Sequence, residues 1–294
     1  MDSIFHCTWQ TACRKSAAIA LAGSVSLLVL LLIFALHFYR SASAGIKDAA
    51  QALGADIVLV PGDALRQAEG FLLAGEKTSF YLDSEVLPAI SKLPAIKAAT
   101  WQVYLEPQDS GCCSFVAAQV IAFDPATDFI IAPWLQGSPP PLGEGDVYVG
   151  STVSEYLGMV DTPILFNREV RVTGQLRKTG TGLDNTIFLR GADLDRIAEG
   201  ASGSYRSGRI SIIFLKLKEG ADLDEVTAQI RAMRPALGTM TRKSITAERR
   251  AGLRKAMINF AIAIALTSAL TGLLAWFTFA GRAGKDDHMA TRGR

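Results

Sequence analysis

An α+β domain held between two membrane-crossing helices is what this 294-residue sequence predicts, and three observations carry the prediction. Two apolar runs, Ala17 to Tyr39 and Met257 to Ala280, contain no Asp, Glu, Lys or Arg. Crossing a ~30 Å hydrocarbon core takes about 20 apolar residues at 1.5 Å rise each, so each run is long enough. Between them, β-branched runs alternate irregularly with single short helical patterns. No βαβ unit repeats, which favours α+β over a regular parallel architecture. The division expected is a cytoplasmic tail over 1–16, a first membrane helix over 17–39, an extracytoplasmic domain over 40–256, a second membrane helix over 257–280 and a second cytoplasmic tail over 281–294.

Basic residues flank both runs on both sides (Arg14, Lys15 and Arg40; Arg254, Lys255, Arg282 and Lys285) and do not decide orientation. A long central domain is translocated largely regardless of its charge, which places both termini inside. Ser41 to Ala44 resembles a signal-peptidase region, but an h-region of about 7 to 15 residues is shorter than this run, so an uncleaved anchor is expected. The setting is the plasma (inner) membrane, crossed more than once.

Ser41 to Leu53 reads as a helix continuing from the first span, with Gly54 ending it. Ala55 to Val60 (ADIVLV) reads as a strand buried on both faces and stopped by Pro61 and Gly62. Asp83 is placed as the cap of a helix running to about Ser91, with Pro88 awkward inside it and Pro94 at its end. Strands follow over Ala98 to Leu105 and Phe115 to Phe123, separated by the turn-forming Pro107 to Gly111. Asp124 to Trp134 reads as a loop with a short apolar piece, and the proline-rich Gly137 to Gly145 as a surface excursion. Asp146 to Val149 is a strand, and Ser151 to Leu157 a short helix. Ile164 to Phe166 and Glu169 to Leu176 form a hairpin about Asn167 and Arg168. Strand, short helix, strand and helix then follow at Thr186 to Leu189, Ala192 to Ala198, Arg209 to Leu217 and Leu223 to Met233. Asp222 with Glu225 caps the last helix. A final strand at Leu237 to Thr241 leads into a polar helix, Ile245 to Lys255, that runs into the second span.

Several strings resemble FtsX-like and MacB-like permeases of ABC transporters. They are the helix-to-strand join AAQALGADIVLV (Ala49 to Val60), the segment Ala95 to Trp101, and, for a subgroup, Asp124 to Trp134 and QLRKTGTGLDN (Gln175 to Asn185). The resemblance implies a MacB-like periplasmic core. It also implies a chain that transmits motion rather than catalysing a reaction, partnered by a separate ABC ATPase subunit and by a second permease copy or related permease chain. In such permeases the ectodomain lies between the first and second of four membrane helices. Gly281 to Arg294 matches neither string that usually follows the second helix, and a split gene, a truncated frame or a two-helix relative each fit. A two-helix sensor or ligand-binding module and a periplasmic thiol or metal handler are the alternative functions.

The chemistry on offer is sparse. No GxxxxGK[ST] is present, so the chain carries no P-loop for ATP. Thr179 to Gly182 (TGTG) does not complete a dinucleotide fingerprint and reads as a turn. A net charge of +2, from 30 basic and 28 acidic residues, makes no case for nucleic acid. The histidines are His6, His37 and His288, all in tails or spans, so a Ser-His-Asp arrangement cannot form in the domain. No cofactor is expected. Cys112 and Cys113 are the candidate metal ligands: adjacent thiols suit Cu(I) or Zn(II), or disulfide exchange, and inert or bridged structural thiols are the bland alternative. Asp124, Asp128 and Asp184 read as turn caps before acids or bases. Trp134 reads as a loop anchor before a partner-binding tip. Thr267, Ser268, Thr271 and Gly272 offer a small, hydroxylated surface suited to helix packing in lipid.

Overall fold

A computed structural model describes residues 22–23, 25–45, 51, 53–105, 118–157, 163–198 and 205–290. The chain divides into two compact units, Met1–Gly45 with Arg249–Arg294, and Ile46–Glu248.

The first unit holds helix α1 (Val25–Gly45) and most of α7 (Arg242–Ala290). Both are long and apolar enough to cross a membrane, and almost none of their apolar surface is covered. Phe34 and Leu266 are each 66% exposed. Contiguous apolar surface on this scale is what a membrane-crossing helix presents.

The second unit is built on an eight-stranded mixed sheet. Its strands are β1 (Ile57–Pro61), β3 (Ile96–Leu105), β4 (Gln119–Phe123), β5 (Asp146–Val149), β8 (Arg171–Gln175), β9 (Thr186–Arg190), β11 (Ile212–Leu217) and β12 (Leu237–Thr241). The spatial order is β12-β1-β11-β3-β4-β9-β5-β8. The pairs β4 with β9 and β5 with β8 are parallel, and the others are antiparallel. Two small ladders stand apart: β2 (Leu82–Asp83) with β10 (Arg209–Ile210), and β6 (Ile164–Leu165) with β7 (Arg168–Glu169).

Strand side chains alternate faces with period two, and here both faces are apolar. Ile57, Leu59, Val103, Val120, Ile187, Leu189, Ile213 and Leu215 enter one core. Their neighbours Val58, Val60, Tyr104, Ile121, Phe188, Ile212 and Phe214 enter the other. The first core is closed by α3 (Val86–Ser91), α4 (Ser151–Leu157), α5 (Leu194–Ala198) and α6 (Leu223–Met233), which contribute Val86, Ile90, Val153, Leu194, Val226 and Ile230. The second is closed by α2 (Leu65–Ala74), through Ala68, Phe71 and Leu72, and by loop residues Ile130, Ile131 and Leu183. The continuous IVLV of β1 is thus explained: a strand covered on both faces has no polar side to show.

Much of the expected order holds, including the α+β class, β5, α4, α6 and β12. Asp222 caps α6 by accepting from the N–H groups of Asp224 and Glu225, at 2.8 and 3.2 Å. Gly54 adopts the left-handed φ of +68° of a helix-ending residue, though 46–50 and 52 of the expected preceding helix lie outside the described residues.

Three local expectations are corrected. Asp83 caps no helix: it pairs in β2 with Arg209 and forms an ion pair with it at 2.8 Å, while α3 starts three residues later. Pro88 is unstrained there, because it occupies the first turn, where a missing N–H loses no helical bond. The hairpin turn sits at Phe166–Asn167, with φ of 51° and 60°, one residue earlier than the Asn167–Arg168 expected. Burial decides this register, since it puts the Phe166 ring in the core at 1% exposure and leaves Arg168 and Glu169 outside. Finally, Arg209 to Leu217 is two strands, not one; Ser211 divides them, its hydroxyl accepting from the Tyr104 N–H at 2.8 Å.

Candidate functional site

Cys112 and Cys113, the metal candidates, lie outside the described residues, as does neighbouring Asp109. The strands on either side of them are fixed. β3 ends and β4 begins as antiparallel neighbours with Leu105 opposite Val120. Fully buried Gln119 locks this end, donating to the Leu105 carbonyl at 2.7 Å and accepting from the Thr78 N–H at 2.9 Å. Among the described residues no cluster of three or more His, Cys, Asp and Glu side chains could hold a metal ion.

The three loop aspartates act as turn locks. Asp124 accepts from the Ala126 N–H and the Thr127 hydroxyl, both at 3.0 Å. Asp128 accepts from the N–H groups of Ile130, Ile131 and Ala132 at 2.8–3.2 Å, starting the turn that carries Pro133 and Trp134. Burial pushes the Asp128 carboxyl above the usual aspartate range, against the pull of those backbone donors. Asp184 accepts from Thr179, through N–H and hydroxyl, and from the Gly180 N–H, at 2.7–2.9 Å. This ties the TGTG segment into a closed turn, as expected. Gly182 is there because its backbone lies against α2: a Cβ would stand 2.1 Å from the Phe71 carbonyl oxygen.

Trp134 anchors its loop. The Arg177 guanidinium lies 5.6 Å from its ring centroid and donates to the Pro133 carbonyl at 2.8 Å. The backbone N–H of Arg177 donates to the Trp134 carbonyl at 2.7 Å, and Leu135 bridges Leu176. The segment thereby covers the end of the edge strand β8, which would otherwise present unpaired backbone groups.

The densest charged cluster was not foreseen from the sequence. Asp146 and Asp193, whose side chains are 6% and 5% exposed, are each held by arginine: Arg171 on Asp146 at 2.7 Å, and Arg190 on Asp193 at 3.0 Å. Arg196 reaches Asp193 at 3.4 Å and also pairs with Glu144. A cleft of about 540 Å³ beside this network is lined by Glu144, Arg168, Glu169, Val170 and Arg196. Charges of both signs alternate around it, so no ligand sign is favoured. Only the i,i+3 spacings around Asp193 were visible locally; Glu144 is far away in sequence.

In the second apolar helix the hydroxyls turn inward on their own backbone. Thr267 donates to Ala263 and Ile264, Ser268 to Ile264, and Thr271 to Thr267 and Ser268, at 2.7–3.0 Å. They are thus compatible with lipid without a partner helix.

The described residues therefore show a double-cored scaffold with locked loops. No curated protein sequence matches the chain. Among solved structures, the periplasmic region of MacB from Actinobacillus actinomycetemcomitans aligns at 13% identity, over 67% of this chain and 94% of that one, with a TM-score of 0.46. The extracellular domain of the ABC-type transporter YknZ from Gram-positive bacteria aligns at 9% identity over 64% and 99%, with a TM-score of 0.40. The model of the MacB-like periplasmic core domain matches residues 17–233, most of the chain, and the chain belongs to that family.

Proposed function

We propose that this protein is a non-enzymatic permease-type subunit of an ABC transporter or mechanotransmission complex. Its two apolar helices cross the plasma (inner) membrane and its central domain stands outside the cytoplasm. A separate ATPase drives it, and it assembles with a second permease copy or a related permease chain. One observation carries the reading: the family match starts at the head of the first apolar run and continues through every strand of the mixed sheet but β12, so a MacB-like core follows directly on a helix long and apolar enough to cross a membrane. ATP must be hydrolysed elsewhere, since the sequence holds no P-loop.

Affinity purification of the full chain in mild detergent, with its neighbouring genes co-expressed, tests the assembly. A P-loop ATPase and a second permease chain are expected to co-purify in stoichiometric amounts. Recovery of the chain alone under those conditions contradicts the proposal.

A further inference from the structure

A second cavity, of about 260 Å³, lies on the first-core side of the sheet between β3, α5 and the small β2–β10 ladder. Its apolar wall is Trp101, Leu194 and Ile210, with the Tyr205 ring at its side. Tyr205 is held in place by an edge contact with Tyr81, centroids 5.9 Å apart. Asp195 stands at the mouth, accepting from the Tyr205 hydroxyl at 3.4 Å and the Ser207 hydroxyl at 3.2 Å.

The charge balance of this pocket is lopsided. Arg209 also lines it; its guanidinium pairs with Asp83 at 2.8 Å and reaches the Tyr81 carbonyl at 3.5 Å, while its Nε is buried without a hydrogen-bond partner. Arg196, on the same helix as Asp195, is taken by Asp193 and Glu144. Among the described residues Asp195 has hydroxyl donors and no cationic partner. Burial first, and then the neighbouring Asp195 carboxylate, push the Tyr205 hydroxyl up to about 12.

We infer that this cavity is a binding site for a small organic cation, its apolar body against Trp101 and Leu194 and its ammonium between the Tyr205 ring and the Asp195 carboxylate. Aromatic faces and an uncompensated carboxylate together select positive charge, and the hydroxyl donors hold the carboxylate in place. The volume is just below the ~300 Å³ at which drug-sized pockets begin, which restricts the ligand to a single ring or its equivalent. Metal ions are a poor match, because one carboxylate supplies too few ligands.

Isothermal titration of the full chain in detergent with benzyltrimethylammonium chloride tests the site, using benzyl alcohol and benzenesulfonate as neutral and anionic probes of the same ring. Saturable 1:1 binding of the cation is expected. Binding of the neutral probe, and of the cation by Asp195→Asn, should each be at least about tenfold weaker, and the anion should not bind. Asp195 is an exposed side chain, so unchanged circular dichroism should certify the variant's fold. Absence of saturable binding to the wild type, equal binding by Asp195→Asn, or preference for either other probe overturns the inference. The assay needs no ATPase, so its failure would leave the permease proposal standing, and failure of co-purification would leave this site standing.

Discussion

The central domain and the two long helices place similar residues in opposite surroundings. Phe188 and Phe214 are fully buried in the second core of the sheet, whereas Phe34 is 66% exposed on α1 and stacks only on Phe38, at 6.4 Å. Polar groups differ in the same way. In the domain, buried carboxylates are paired with arginines, Asp146 with Arg171 25 residues further on and Asp193 with the nearby Arg190. In α7, the hydroxyls of Thr267, Ser268 and Thr271 close on carbonyls of their own turn. One region pairs its buried charges with other side chains. The other closes these three hydroxyls on its own backbone and leaves its apolar side chains for the surroundings to cover, as a helix in lipid does.

The sharpest way to break this contrast is to truncate one aromatic from each region. Phe188→Ala opens a cavity against Phe123 in a core with no exposed path and should cost about 3–5 kcal/mol in chemical unfolding of the domain. Phe34→Ala should move the same transition by less than about 0.5 kcal/mol. Similar losses for both would mean that the helices, too, are part of a water-soluble core.

A pair of glycines gives a smaller contrast with opposite signs. Gly182→Ala drives a Cβ onto the Phe71 carbonyl oxygen, a backbone atom that cannot swing aside, and should destabilise by about 1–3 kcal/mol. Gly252, within α7, has nothing within 4 Å of the same position. There Gly252→Ala should raise helix stability by up to about 1 kcal/mol, read as thermal helicity of the full chain.

The smallest effect expected is a pH dependence at Asp128. Its carboxyl is raised in the folded state, so its contribution to stability is complete below the unfolded aspartate pKa of about 3.9 and is lost as pH rises through the folded value. Asp128→Asn removes the titration and keeps one acceptor oxygen, enough for the Ile130 and Ile131 N–H groups, while the loss of the second oxygen, which Ala132 uses, adds an offset that does not vary with pH. Relative to the wild type, this variant should therefore gain stability as pH climbs from about 3.9, measured by denaturation midpoints across that range. A flat difference would mean that the backbone donors fully offset the burial.

What the sequence disclosed follows the same local-versus-distant division. The ends of α6 and β12 were legible because Asp222 and the apolar spacing define them without reference to the rest of the chain. Helix α2 was missed although Leu65, Ala68, Phe71 and Leu72 recur at helical spacing; Pro61 and Gly62 read as a stop, and Gly70 interrupts the pattern. Gly70 is tolerated because the helix ends soon after, at the left-handed Gly75. Asp83 carries a cap's chemistry, yet its partner Arg209 is 126 residues away and overrides the local preference. The strand order was out of reach for the same reason: β1 pairs with β11 and β12, at the far end of the domain. The Asp195 cavity gathers residues from β3, α5 and β10, none of which is distinctive alone. The Cys112 and Cys113 pair remains a proposal resting on its chemistry, and a double Cys→Ser variant tested for Cu(I) or Zn(II) stoichiometry addresses it.

The claim on which the account depends is that the domain stands outside a membrane that both helices cross. The direct measurement is labelling of intact cells with a membrane-impermeant maleimide, using Ser138→Cys in a background with Cys112→Ser and Cys113→Ser. Ser138 is exposed on the proline-rich loop, so the engineered thiol is accessible from whichever side the domain occupies. The account predicts that this site is labelled without lysis, and that Cys7 and Cys13 are labelled only after permeabilisation. Protection of position 138 in intact cells, or labelling of Cys7 and Cys13 from outside, would contradict it.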